Sequence, residues 1–359
     1  MLNNILNQMD EVLLKMRYLQ RRRLERKEFH ECVSGNSLTC EQKKEIHDFW
    51  GRYASIDEVF HEFYYEKTGV FSPKYIPDEL WYTYIDAYYN DKNEAKAFDN
   101  KCYYDRYFPD VQMPRTVARR INGCWMNQRY ERISNIEEYL NSRQSEVFIK
   151  EAIESCGGHG VHCYGIDELD KALLFLKSAD TDVIIQETLH QSERLKALNP
   201  SSVNTVRVLS LLEDGEVTVL SKILRMGITT ARVDNASSGG ITCGITNDGY
   251  LKKVAYSAKG EKYEIHPFSN IVFEHYAIPA IDDIERLTKQ LHPTMGRFGI
   301  ISWDWAVDES NKPVLIEVNL SNGELDFHQL NNGPLFGNRT EEIMKRVFEK
   351  KDICKSSIV

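Results

Sequence analysis

The residues of this chain best suited to chemistry stand near its C-terminus. Two apolar runs, Ile300–Val307 and Pro313–Asn319, flank the polar stretch Asp308-Glu309-Ser310-Asn311-Lys312, which reads as two antiparallel strands around a turn. Acids and an amide interrupt runs that ought to be buried. A turn centred between Ser310 and Asn311 sets Asp304 directly opposite Glu317. Asn319, two residues further on, shares the same face. Two carboxylates and an amide oxygen on one side of a sheet form a hard-oxygen donor set. Mg²⁺ suits such a set, because it fills the rest of its shell with water and phosphate oxygens. Buried without a cation, the same carboxylates would be costly. The plainer alternative is a polar sheet face that meets solvent.

Four constellations upstream carry related chemistry. Lys150 closes the run Val147-Phe148-Ile149, and Gly157, Gly158 and Gly160 follow around His159. Glycines let backbone N–H groups approach a polyphosphate, and a lysine adds a point charge. The segment matches neither G-x-x-x-x-G-K-[ST] nor G-x-G-x-x-G, and an ordinary turn is the alternative. His159 could touch a γ-phosphate or simply meet water. Gln186-Glu187-Thr188-Leu189 ends a second apolar run. Its backbone could pair with an adenine edge while Glu187 holds a ribose hydroxyl; a solvated acid is the alternative. Asp214-Gly215 is a type I′ turn signal inside a long hairpin over 203–226. A two-residue turn sets Asn204 opposite Arg225, and Arg207 opposite Lys222. Arginine and asparagine side by side can hold a phosphate or an acyl oxyanion, or they form an ordinary cross-strand surface pair. Asp234-Asn235-Ala236-Ser237-Ser238-Gly239-Gly240 combines an amide, hydroxyls and glycines, as a loop over an anion would.

These groups need strands and helices to hold them. Strands are predicted at 147–150 and 183–187. Between them Asp167 reads as the N-cap of a helix burying Leu169, Ala172, Leu173 and Leu176. Residues 2–19 repeat apolar positions at helical spacing and end in Arg21-Arg22-Arg23. Such a helix could lie on a membrane surface or against an anionic lipid-linked substrate. Packing on the body or at a homodimer interface is the preferred reading, since one basic turn holds a membrane weakly. Residues 41–100 read as helices rich in aromatics, which usually form core, though an acceptor site could lie there.

Composition narrows the classes. The chain of 359 residues is 42% hydrophobic and 28% charged, ordinary for a globular protein. A net charge of −9 argues against a nucleic-acid binder. Residues 1–30 carry seven basic residues against Asp10, Glu11, Glu25 and Glu28, a net of +3, which leaves −12 on the rest. No run is long enough to span a bilayer and no export signal is visible. Eight scattered cysteines without a C-x-x-C pair then suggest free thiols in the cytoplasm.

The order lysine and glycine loop, strand-end glutamate, arginine hairpin, Asn–Gly–Gly loop, Asp…Glu-x-Asn resembles the ATP-grasp superfamily. More narrowly it resembles the sugar-transfer-associated ATP-grasp family found with polysaccharide-building genes. The matching stretches are Val147–Val161, Val183–Leu189, Ser202–Val208, Leu224–Gly227, Val233–Gly240 and Ile316–Asn319. The resemblance implies an α+β ATP-grasp fold, two α/β subdomains gripping ATP between antiparallel sheets. A helical region over 1–95 would precede the ATP-grasp domain at 96–350, itself divided into 146–190 and 200–350, with a tail at 351–359. It implies ATP contacts from Lys150, Gly157, Gly158, His159, Gly160, Gln186, Glu187, Leu189 and Asn204. Arg225, Asn235 and Arg207 would act on the transferring group, and Asp304, Glu317 and Asn319 would hold one or two Mg²⁺, or Mn²⁺. A second cation upstream of Lys150 is expected, with Arg119 and Arg120 as candidates. His266, Asn322, Glu324 and Gln329 would lie toward an acceptor. The implied reaction is ADP-forming amide synthesis through an acyl phosphate, on a small-molecule or lipid-linked sugar acid or an amino acid, without nucleic acid. A kinase phosphorylating a sugar or small-molecule hydroxyl and a non-catalytic nucleotide-binding module are the alternatives.

Overall fold

The computed structural model describes residues 2–143, 146–153, 161–229 and 239–349. Rich in Leu, Arg, Glu and Lys and free of Gly and Pro, the N-terminal segment forms one helix, α1 (Leu2–His30). It runs well past the predicted end at residue 19. Only one side of its C-terminal part packs on the body. Phe29 meets Phe60 and Phe63 at 4.8 Å between ring centroids, and Arg26 reaches Asp57 at 3.0 Å. A Thr39–Gln42 capping box opens α2 (Cys40–Trp50), and Gly69 in the left-handed region ends α3 (Val59–Thr68). Then come α4 (Asp78–Leu80), a π-helical turn (Trp81–Ile85), α5 (Asp86–Tyr89), α6 (Lys92–Phe98), a 3₁₀ turn (Lys101–Tyr103) and α7 (Tyr104–Tyr107). The aromatics here are core: Trp50, Trp81 and Ile85 pack with Leu209, Ile300 and Met344.

Two antiparallel sheets follow. The smaller has the order β2-β1-β5-β3-β4, with β1 (Thr116–Ile121), β2 (Cys124–Asn127), β3 (Val147–Glu151), β4 (Val161–Tyr164) and β5 (Val183–Glu187). It draws two strands from upstream of the expected boundary at 146. One face, with Val117, Ile149 and Ile185, is covered by α8 (Ile136–Asn141) and by Ala172, Leu173 and Leu176 of α9 (Leu169–Ser178). Asp167 is not the helix cap. It is the middle of a 3₁₀ turn (Ile166–Glu168) whose cap position falls on Gly165, where the Gly165 N–H donates to Glu168.

The larger sheet has the order β10-β9-β8-β7-β6-β11-β12. Its strands are β6 (Thr205–Glu213), β7 (Glu216–Met226), β8 (Ile241–Ile245), β9 (Leu251–Ser257), β10 (Lys262–Tyr263), β11 (Ile300–Val307) and β12 (Pro313–Asn319). One face, with Leu224, Trp303, Trp305 and Val318, packs with α10 (Glu193–Leu198) and α11 (Ile281–Leu291). On the other face Phe327 of α12 (Asp326–Asn332) packs on Ile223, and α13 (Thr340–Glu349) closes the described fold. Among the described residues no helix is long and apolar enough to cross a membrane.

Both hairpins carry a bulge that periodicity does not reveal. Asp214 and Gly215 have φ of 52° and 84°, as a type I′ turn requires. Pairing follows that turn as far as Ser210–Val219 and then slips one residue at Leu220. Thr205, not Asn204, therefore faces Arg225, and Arg207 faces Ile223 rather than Lys222. In the other hairpin Asp308 accepts from the N–H groups of Ser310 (2.9 Å) and Lys312 (2.8 Å), and Asn311 is left-handed at φ 58°. The turn is thus centred on Ser310. A bulge at Ile316 restores the offset, so Asp304 does stand opposite Glu317.

Candidate active site

Asp304 is laterally paired with Arg207 on one side and Glu317 on the other, so three adjacent strands put these groups on one face. Arg207 grips both Asp304 oxygens, Nε and Nη2 each at 2.7 Å, and sends Nη1 to Glu324 at 2.5 Å. Arg225 Nη1 stands 3.3 Å from the same Asp304 carboxylate. Asp304 is only 3% exposed. Burial pushes its pKa up, yet the Arg207 and Arg225 guanidiniums outweigh burial and hold it below the usual range. His328 of α12 lies on this face, bonded through Nδ1 to Ser221 Oγ at 2.7 Å. Burial and then Arg207 push His328 down to about 3, so it is neutral. Asn319 sits across from Ser302, and its amide nitrogen donates to the Ser302 carbonyl at 3.4 Å.

The small sheet faces this surface with Phe148, Lys150, Ile184 and Gln186, the residues alternating with those under its helices. Burial lowers the Lys150 ammonium to about 8; Glu317 opposes that shift and Lys101 adds to it. Lys101 joins the sheets. Its backbone N–H donates to Ala152 O at 2.7 Å just beyond β3, and its Nζ reaches Glu317 Oε1 on β12 at 2.8 Å. Tyr104 adds a second tie, donating to Val318 O at 3.2 Å. Between the sheets lies a cleft of about 240 Å³ whose walls include Lys101, Met113, Ile184, Gln186, Leu315 and Ile316. Asp105, Arg115 and Gln128 also line it, so apolar side chains share the walls with charged and amide groups, which suits a flat ring with polar edges. Lys101, Lys150, Arg207 and Arg225 here meet Asp304, Glu317 and Glu324, with Asp326 of α12 next to Glu324.

The other residues singled out from the sequence divide clearly. Glu187 ends β5 beside Arg115, 3.2 Å away, and Leu189 is half-buried in the loop that follows. Asn204 lies fully inside, its Nδ2 donating to Gln191 Oε1 (3.0 Å), Leu195 O (2.8 Å) and Asn199 O (3.1 Å). Its amide braces the α10 connection and offers no surface to a nucleotide. Arg119 is buried against Asp105 (Nη2 at 2.6 Å) and under the Tyr130 ring. Arg120 binds Leu176 O, Ala179 O and Thr181 O at the end of α9. Both arginines are thus committed to partners away from Glu317, whereas Lys101, also upstream of Lys150, reaches it. Its sequence signal was faint, a lysine directly after Asn100, whose side chain caps the Cys102 N–H. Toward the expected acceptor side, His266 bonds Gly227 O and Gln329 bonds the Ile76 backbone, both buried. Asn322 receives Lys92, and Glu324 holds Arg207. Gly157, Gly158, His159, Gly160 and Asn235 lie outside the described residues.

Asp304, Glu317 and Asn319 chemically fit a hard divalent cation. In this structure both carboxylates are answered by protein cations, Asp304 by arginine and Glu317 by Lys101. Among the described residues no three His, Cys, Asp or Glu side chains converge as a closed cage.

The profile of the family described as sugar-transfer-associated ATP-grasp matches residues 82–345. Solved structures with a similar chain path include D-alanyl-alanine synthetase A from Vibrio cholerae, 13% identical with a TM-score of 0.42, over 75% of this chain and 68% of that one. Another is the ATP-grasp ligase PsnB complexed with minimal precursor, 14% identical with a TM-score of 0.41, over 72% and 64%. A third is N5-carboxyaminoimidazole synthase from Aspergillus clavatus in complex with ADP and its ribonucleotide ligand, 10% identical with a TM-score of 0.39, over 70% and 54%. The chain spans between 54% and 68% of these structures. No curated protein matches the chain.

Proposed function

Because this chain belongs to the sugar-transfer-associated ATP-grasp family, we propose that it is an ADP-forming ligase joining a carboxylate to an amine in surface-polysaccharide synthesis. The observation that carries this reading is the convergence of Lys101 and Lys150, from the side of the small sheet, on Glu317 of β12, with the cleft that Lys101 lines beside them. A nucleotide laid there would place its ring between the walls of that cleft. Its polyphosphate would run past the two lysines toward Arg225.

The chain's own residues then have definite tasks. Gln186 and the backbone to Leu189 would pair with the base edge, and Glu187 would hold the ribose. Lys150, with its lowered affinity for a proton, gains a counter-charge when phosphate oxygens arrive. Asp304 keeps Arg207 aligned. Arg225 faces the position where charge develops as the substrate carboxylate attacks the γ-phosphorus, ADP leaves, and an acyl phosphate forms. The amine nitrogen then attacks the acyl carbon, and phosphate departs. Glu317 and Asn319, with Asp304 once a guanidinium yields, would hold Mg²⁺, which when bound neutralises phosphate charge. No protein nucleophile takes part.

Mass spectrometry tests the proposal. The protein is incubated with Mg·ATP and a pool of uronic acids, amino sugars and amino acids. ADP together with a product equal to two pool members less one water supports the ligase. ADP with a phosphorylated pool member establishes a kinase instead. In Glu317→Gln turnover should collapse while nucleotide affinity falls less; unchanged turnover would remove Glu317 from the metal set.

A further inference from the structure

We propose that the outer face of α1 docks on the headgroup layer of an anionic phospholipid bilayer. The inference does not rest on the reaction proposed above. Val12, Leu13, Met16, Leu19 and Leu24 of α1 are exposed, Met16 at 62% and Val12 at 57%. Their spacing gathers them on one side of the helix. The side that packs is a different one, occupied by Arg22, Glu25, Arg26 and Phe29. The sequence favoured packing of the amphipathic face on the body or at a homodimer interface; these five side chains are turned away from the body.

The same stripe ends in two cations. Arg23 and Lys27 are exposed and make no ion pair among the described residues. Arg21, Arg22 and Arg26 instead answer Glu25, Glu79 and Asp57. No Asp or Glu occupies positions 12, 13, 16, 19, 20, 23, 24 or 27. The same stripe on a second copy would therefore bring more cations and no carboxylate, the acids of α1 (Asp10, Glu11, Glu25 and Glu28) lying off it. An anionic bilayer supplies both halves of the match, apolar acyl chains for Val12–Leu24 and phosphate headgroups for Arg23 and Lys27. The helix is too polar to span, so it lies in the interface plane.

Vesicle flotation of the full chain tests this. Mixed phosphatidylcholine–phosphatidylglycerol vesicles should carry the protein up the gradient at low salt, and phosphatidylcholine alone should carry far less. Met16→Glu with Leu19→Glu should abolish flotation. Arg23→Gln with Lys27→Gln should weaken partitioning roughly thirtyfold. All four positions are exposed, so the variants should keep the parent's circular dichroism and melting temperature. Absence of flotation on mixed vesicles at low salt, or equal flotation on both vesicle types, overturns the proposal. So does light scattering that shows a dimer which Met16→Glu with Leu19→Glu dissociates, because the face is then covered by a second copy.

Discussion

Replacing Arg207 by methionine should destabilise the protein strongly, and neutralising Asp304 as well should restore most of the loss. The structure sets the scale. Asp304 is 3% exposed and receives two 2.7 Å bonds from one guanidinium; without it only Arg225 at 3.3 Å remains close. Breaking a buried pair from one side costs about 3–5 kcal/mol, because a carboxylate is left desolvated and weakly answered. For a chain of 359 residues that corresponds to a melting temperature roughly 4–7 °C lower. The pH dependence carries a sign. With Arg207 present the Asp304 pKa lies below its unfolded value, so the pair's stabilisation holds above the carboxylate range and is lost as pH falls through it. Without Arg207 burial raises that pKa, and the ionised form becomes a penalty that acidification relieves. Parent and Arg207→Met should therefore differ most at neutral pH and converge as pH falls through the carboxylate range toward about pH 4. The assay is thermal and urea unfolding at both pH values for the parent, Arg207→Met, and Arg207→Met with Asp304→Asn. A single variant within about 1 kcal/mol of the parent would refute the clamp, as would a double variant no better than the single.

Two further outcomes follow from buried groups. The Lys150 pKa is lowered to about 8 by burial, so between there and its ordinary value near 10.4 the unfolded chain binds more protons. Stability of the nucleotide-free protein should thus rise with pH across that window. Nucleotide binding near pH 9 should take up protons, read by calorimetry in buffers of different ionisation enthalpy; no uptake would remove Lys150 from the phosphate path. Asn204→Ala should cost about 1–3 kcal/mol by stranding Gln191 and two carbonyls, with KM for ATP unchanged. A raised KM at unchanged stability would return Asn204 to the nucleotide site.

Local chemistry was legible in the residues themselves. Asp214-Gly215 announced its type I′ turn because only such residues accept positive φ at both positions. The Asp304–Glu317 pairing was read from two apolar runs around a polar turn, and it holds because the bulge at Ile316 offsets a turn centre placed half a residue too far along; strands 147–150 and 183–187 were read from their branched residues. Where two elements meet was not legible. The bulges at Leu220 and Ile316 each insert one residue without disturbing hydropathy, yet the first reassigns the partners of Arg207 and Arg225. Asn204 and Arg119 have the composition of binding residues, but burial fixes both inside the protein. Lys101 lay almost silent in sequence until the small sheet held its backbone and the large sheet offered Glu317 to its ammonium. The sequence by itself determined which groups carry charge and which turns can form. Only the tertiary structure decided which charges face one another, because that depends on register and on the approach of two sheets far apart in the chain. It decided α1 in the same way: periodicity made an amphipathic helix, and packing left one of its apolar faces outward.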